Sequence, residues 1–174
     1  MEATQRNAWL RQDVAALLRD CREEHYKASG PGGQRRNKVE TAIRLVHLPS
    51  GARSHAEEAR FLQENREKAA LRLKKAIALH VRATFDLERP ATPPEFQAYR
   101  TRQGGIAVNP KNPHYPLVLA TVLDALHAAG GSYARTADAL GVTTSQVLKF
   151  LRADTEAWRA VQEWLAARSR ETTP

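Results

Sequence analysis

The spacing of apolar positions changes several times along the chain, and each change predicts an element. Trp9, Leu10, Val14, Leu17 and Leu18 recur at close to helical spacing, which predicts a short amphipathic helix over residues 7–19. Residues 21–27, CREEHYK, are a candidate strand, followed by a glycine-rich stretch. The run VETAIRLVH then alternates, with Val39, Thr41, Ile43 and Leu45 on one side and Glu40, Ala42 and Arg44 on the other. That period of two predicts a half-buried strand. Pro49, Ser50 and Gly51 signal a turn, after which residues 52–56 are expected to return as a short strand. From about residue 59 to 82 a long helix is predicted, with Leu62, Ala69, Leu73, Ile77 and Val81 inward and Lys68, Arg72 and Lys75 in a basic outer stripe. Ser54, with Glu57 three residues on, offers a capping box and an earlier start, so the pattern leaves two starts open.

Residues 86–115 are rich in proline, carry Gly104 and Gly105 and lose periodicity, which predicts a linker ordered in part by Phe96, Tyr99 and Ile106. An apolar-rich helix is predicted over 116–128. GGSYARTADALGVTTSQVLKFL then reads as helix, tight turn, helix, with Ala137 where helices cross, Gly141 in the turn and Val147 on the second helix. Asp154 is placed to cap a last helix with Trp158, Val161, Trp164 and Leu165 along one side. The expected fold is α+β: a small mixed sheet with a long packed helix over residues 1–85, a linker over 86–115, and an all-α helix-turn-helix-like domain over 116–174.

Composition narrows the partners. A chain of 174 residues with 42% hydrophobic content and three Trp can build one medium core or two small ones. Its formal charge of +8 points to a polyanion, most simply nucleic acid. Residues 1–85 hold 17 Lys/Arg against 10 Asp/Glu, whereas residues 86–174 hold 10 against 9, so the polyanion-facing part is the one with the glycine stretch. A single cysteine, Cys21, excludes an intramolecular disulfide and fits a reducing compartment. The first twenty residues read as neither secretory signal nor transit peptide, and no run approaches membrane-spanning length. The default expectation is a soluble, cytoplasmic protein with no membrane partner. The six His form no short-spaced ligand set, so no metal and no cofactor is expected.

The chemistry concentrates in ASGPGGQRRNK, from position 28. Gly30, Gly32 and Gly33 permit close backbone approach to another molecule, and Pro31 stiffens the stretch. Gln34 has amide donors and an acceptor but no proton to give up near neutral pH, so it positions and polarises rather than acting as a base. His47, at a strand end, is read as a hydrogen-bonding core residue, and Cys21 as a small buried one.

GGQRRNKVETAIRLVHLPSG resembles the catalytic domain of class I peptide-chain release factors and of the smaller ribosome-rescue hydrolases that share it. The resemblance runs from about Cys21 to Val81 and is ordered: SGPGGQ, Asn37, Lys38, the ETAIR strand, His47, the turn at 49–51, then Arg60 and Asn65 opening the basic helix. It implies Gly32, Gly33 and Gln34 as the catalytic set. Gln34 would orient water on the ester of peptidyl-tRNA, and its backbone N–H would stabilise developing oxyanion charge. It also implies RNA contacts by Arg35, Arg36, Asn37, Lys38, Arg60, Lys68, Arg72 and Lys75, with the large ribosomal subunit, ribosomal RNA and peptidyl-tRNA as partners. Arg35 and Arg36 stand where the family usually has His-Val, and Phe61 and Leu62 where release factors commonly have small or polar residues. With about twenty residues before the resemblance begins and no stop-codon-reading motif evident, the expected activity is codon-independent hydrolysis.

The last part resembles a Fis-type helix-turn-helix, which implies nucleic-acid contact by Thr144, Gln146 and Lys149, or a protein-docking role. The alternative function is a non-catalytic nucleic-acid-binding regulator, with a ribosome-docking assembly factor as a third class.

Overall fold

The computed structural model describes residues 2–27 and 40–171. Among the described residues the elements follow in order: α1 (Ala3–Arg11), α2 (Val14–Arg19), β1 (Cys21–Tyr26), β2 (Ala42–His47), β3 (Arg53–Ala56), α3 (Leu62–His80), α4 (Pro94–Tyr99), α5 (Tyr115–Ala128), α6 (Tyr133–Leu140), α7 (Thr144–Arg152) and α8 (Thr155–Glu171). The chain divides into two compact units, one from Gln5 to Val81 and one comprising the residues before Gln5 and from Arg82 onward.

In the first unit the single helix expected over 7–19 is two helices. Asp13 stands extended between them and accepts a 2.7 Å hydrogen bond from the Ala16 N–H, restarting the helix as an N-cap. Apolar spacing carries through that break unchanged, so periodicity could not reveal it. The break leaves the Gln12 carbonyl without a helical partner. The Lys74 ammonium, on α3, donates to it from a buried position, and burial lowers the pKa of that lysine.

The sheet has order β1-β2-β3 and is antiparallel throughout, where a mixed sheet was expected. A parallel crossover needs a dozen residues or more. The β2–β3 connection is instead a tight turn, closed by Gly51 N–H to His47 O at 2.8 Å and His47 N–H to Ala52 O at 2.9 Å, with Gly51 at φ 71°. Register pairs Cys21 with His47 and Tyr26 with Ala42, then Ile43 with Ala56 and Val46 with Arg53. Ile43, Leu45 and Ala56 are fully buried against Ala69, Leu73 and Ile77 of α3, so the sheet and one helix face make this core.

Neither predicted start of the long helix is exact, and the capping box does not form. Ser54 lies within β3, and its hydroxyl donates to the Ala69 carbonyl at 2.7 Å, pinning strand to helix. The helix begins at Leu62, with Phe61 in the cap position and no side-chain cap. Leu62 is only half-buried, as is Val81, which lies in extended backbone beyond the last turn.

In the second unit α5 is buried nearly all round, from Tyr115 to Leu126. Buried Asp124 accepts from the Ala83 N–H at 3.0 Å and from Arg82 at 3.1 Å. Asp154 caps α8, accepting from the N–H groups of Glu156 and Ala157 at 3.1 Å, and also accepts from the Tyr115 hydroxyl at 2.9 Å. Residues 86–115 contribute α4, whose Phe96 is buried, and a bridge between Arg100 and Ile106. Among the described residues no helix is long and apolar enough to cross a membrane.

Candidate functional site

The residues carrying the sharpest expectation, Gly32, Gly33 and Gln34 with Arg35, Arg36, Asn37 and Lys38, lie outside the described residues. Their flanks are described. The paired strands run up to Tyr26 opposite Ala42, so the intervening segment leaves and re-enters the sheet at neighbouring positions.

Asn65 organises the re-entry side. Its side chain is fully buried in the first turn of α3 and makes three hydrogen bonds: Nδ2 donates to Thr41 O at 2.7 Å and to Ala59 O at 3.1 Å, while Oδ1 accepts from the Ala59 N–H at 2.9 Å. Only a side-chain amide brings donor and acceptor together in this way. The clamp brings the stretch before α3 beside Thr41, the residue just before β2. On the exit side the Tyr26 hydroxyl donates to Glu57 at 3.2 Å, and the Arg44 guanidinium lies 5.4 Å from the Tyr26 ring centre. Arg66 of α3 donates to Glu23 of β1 from both Nε (3.1 Å) and Nη2 (2.8 Å). The sheet ends that carry the loop are thus fastened to α3 and to the segment before it.

The basic stripe is partly neutralised. Arg72 donates to Glu58 at 2.7 and 3.2 Å and to the His55 carbonyl at 2.9 Å, while Lys68 lies 3.8 Å from the same carboxylate. Backbone N–H groups, then Arg72, hold the Glu58 carboxyl down at about 2. Lys75 is half-buried and already engaged. Arg60 is exposed, with its guanidinium 5.8 Å from the Phe61 ring centre. Helical periodicity located the three stripe cations but could not show that the preceding segment folds Glu58 onto them.

Among the described titratable groups, His25 stands beside Tyr26 with its Nε2 3.5 Å from the Glu23 carboxylate. His47 is fully buried at the far end of β2, roughly 17 Å of strand from Ala42. Its Nδ1 lies 2.7 Å from the Ser50 hydroxyl, its ring meets Trp9 edge-on at 4.9 Å, and burial lowers its pKa. The Cys21 thiol is pushed up to about 11 by burial, Asp20 and Glu23, and donates to Leu17 O at 3.2 Å, so it is a poor nucleophile. No group of three or more His, Cys, Asp or Glu among the described residues is placed to hold a metal.

In the second unit, Thr144 and Lys149 are exposed and Gln146 is half-buried. The turn before α7 has Gly141 in the left-handed region at φ 63°, with Ala137 and Val147 buried on either side. The chain itself occupies part of this surface. Gly104 O accepts from the Thr143 N–H at 3.0 Å, and Gly105 lies close to the Gln146 amide. Arg152, the other cation of α7, has its guanidinium 4.9 Å from the Trp158 ring centre.

Sequence reasoning missed two features. The Asn65 clamp was visible only as a residue type at the start of a helix. The outward side of the sheet carries Arg22, Arg44 and Arg53, a set that strand alternation could have flagged once the three strands were aligned.

Comparison with known proteins gives the frame a family. Over 62 residues the chain is 45% identical to proteins named peptide chain release factor 1 from Streptococcus agalactiae, Streptococcus pyogenes and Streptococcus thermophilus. That stretch is 36% of this chain but only 17% of the length of each relative. The RF-1 domain model matches residues 11–105, more than half of the sequence. A match of that extent takes in the glycine-rich segment together with the strands and helix on either side of it, and the chain belongs to the RF-1 domain family.

Proposed function

We propose that this protein hydrolyses the ester joining a nascent peptide to transfer RNA in the peptidyl-transferase centre of the large ribosomal subunit, without reading a codon. The observation that carries this reading is the RF-1 domain match across residues 11–105, which includes the Gly-Gly-Gln segment. Gly32 and Gly33, with no Cβ, let the loop enter a crowded ribonucleotide pocket. The Gln34 side chain orients a water against the ester carbonyl, and the Gln34 N–H stabilises the charge that develops there. Water supplies the hydroxyl to the peptide and the proton to the departing 3′ oxygen. Arg35, Arg36, Asn37, Lys38 and Arg60 meet ribosomal RNA, joined by whatever part of the Lys68, Arg72 and Lys75 stripe Glu58 leaves uncompensated. Ribosome and transfer RNA complete the site.

The second unit serves in this reading as a docking module built on α6, its turn and α7, in the manner of a helix-turn-helix. The left-handed Gly141 between buried Ala137 and Val147 favours that arrangement. Gly104 and Gly105 against the start of α7 weigh against base reading there, and so against a transcriptional regulator. The deciding experiment measures release of labelled peptide from ribosomes stalled without a codon in the decoding site. Release there, with free peptidyl-tRNA left intact, is the expected result. Strict dependence on a stop codon would replace the codon-independent reading, and absence of release on any ribosome would remove the hydrolase.

A further inference from the structure

The side of the sheet turned away from α3 carries cations that belong neither to the glycine loop nor to the α3 stripe. Antiparallel register arranges them in two rows: Arg22 of β1, Val46 of β2 and Arg53 of β3 lie side by side, and Glu24, Arg44 and His55 form the next row. Strands lie about 4.8 Å apart, so the first row spans roughly 10 Å. These six residues line an open pocket of about 390 Å³. Glu24 lies 3.1 Å from Arg22 and 3.4 Å from Arg44 and holds both side chains over the strands. Arg53 makes no ion pair among the described residues. One carboxylate therefore faces three guanidinium groups, and Val46, half-buried, is the single aliphatic side chain of the set.

We propose that this sheet face is a second phosphodiester-binding platform, gripping a strand of ribosomal RNA while the loop enters its pocket. Guanidinium groups match phosphate oxygens with a planar fork of donors, and three of them on adjacent strands suit consecutive anionic groups better than one compact ligand. With Val46 its one aliphatic side chain, the face has nothing to insert into the apolar interior of a bilayer or into an apolar protein groove. The row of Glu24 and Arg44 lies two residues from Tyr26 and Ala42, the last described pair before the glycine-rich segment. The choice of ribosomal RNA rests on the release-factor reading, whereas the phosphate chemistry rests on the sheet alone.

The test uses the full chain and purified large ribosomal subunits, with dissociation constants measured across a salt series. Arg44→Gln with Arg53→Gln should weaken binding roughly tenfold or more at low salt and reduce the log–log salt slope by about 1.4–1.8, since each phosphate contact contributes about 0.7–0.9. Glu24→Gln should tighten binding, a gain that misfolding cannot mimic. The same losses should appear with protein-free ribosomal RNA extracted from the subunits. An unchanged slope in the double variant, weaker binding by Glu24→Gln, or a loss seen with subunits but not with protein-free RNA would overturn the platform; the last would indicate an acidic protein partner. Failure of the wild-type protein to release peptide would strike the hydrolase reading separately, because the platform is scored on binding alone.

Discussion

Replacing Asn65 by Ala should damage the first unit more than any change in its exposed charge. The side chain is fully buried and its three hydrogen bonds serve Thr41 O, Ala59 O and the Ala59 N–H. Each such bond contributes about 1 kcal/mol net, and the three serve backbone groups of the half-buried residues Thr41 and Ala59, so a loss of about 2–4 kcal/mol is expected. With a urea dependence of about 1–3 kcal/mol per molar, the unfolding midpoint of this unit should fall by roughly 1–2 M. Amide exchange in peptides covering 42–47 and 62–73 isolates the unit from the rest of the chain, and those peptides should lose protection by the same free energy. Asn65→Asp keeps the acceptor but turns a carboxylate oxygen towards two carbonyls, so it should be at least as harmful. Peptide release should fall in both variants while ribosome affinity, set by exposed cations, changes little. A loss below about 0.5 kcal/mol for the Ala variant would refute the clamp, because three hydrogen bonds of about 1 kcal/mol each cannot vanish at so small a cost.

Gly33→Ala should abolish peptide release while leaving circular dichroism and ribosome binding near wild type, since a Cβ obstructs close backbone approach. Lys68→Gln with Arg72→Gln should lower the salt slope of ribosome binding by about 1 rather than 2, because Glu58 already offsets one cation, and Glu58→Gln should tighten binding. His127 stacks on Trp164 at 3.8 Å, and burial, with Arg82 and Arg168, lowers its pKa from 6.5 to about 4. The unfolded chain then binds a proton that the folded chain refuses. Stability should be highest above pH 6.5 and decline as pH falls towards about 4, a dependence that His127→Phe flattens in thermal melts. Gly141→Ala places a Cβ in the left-handed region and against the Arg100 guanidinium, so the second unit should lose about 1–2 kcal/mol. Scanning calorimetry should show its transition roughly 5–10 °C lower.

Much of the first unit was legible because its signals are local. Alternation from Thr41 to Leu45 marks a strand, and Ile43 and Leu45 are fully buried with Arg44 exposed between them, but Ala42, expected on the other side, is fully buried as well. The spacing of Ala69, Leu73 and Ile77 marks the inner face of α3, and Asp154 marks the start of α8. The break at Asp13 was not legible, because capping competes with a helical periodicity that continues through it. Ser54 misled for a related reason: a hydroxyl three residues before Glu57 has the pattern of a cap, but pairing with β2 places it in a strand.

Residue types and their order determined the chemistry on offer: a glycine-rich stretch ending in an amide, a surplus of cations in residues 1–85, and an alternating strand after that stretch. Those properties are carried by single side chains and by spacings along one segment, and they need no knowledge of distant partners. The tertiary structure decided which charges remain available. Glu58 is folded onto Lys68 and Arg72, while Arg22, Arg44 and Arg53, scattered over 32 positions of sequence, gather on one sheet face through strand register. It also buried Asn65, making a polar residue at a helix start the tie between that helix and the strand leading from the loop. Electrostatic availability and burial depend on groups brought within a few ångströms by folding, and the order of residues along a chain does not specify those distances.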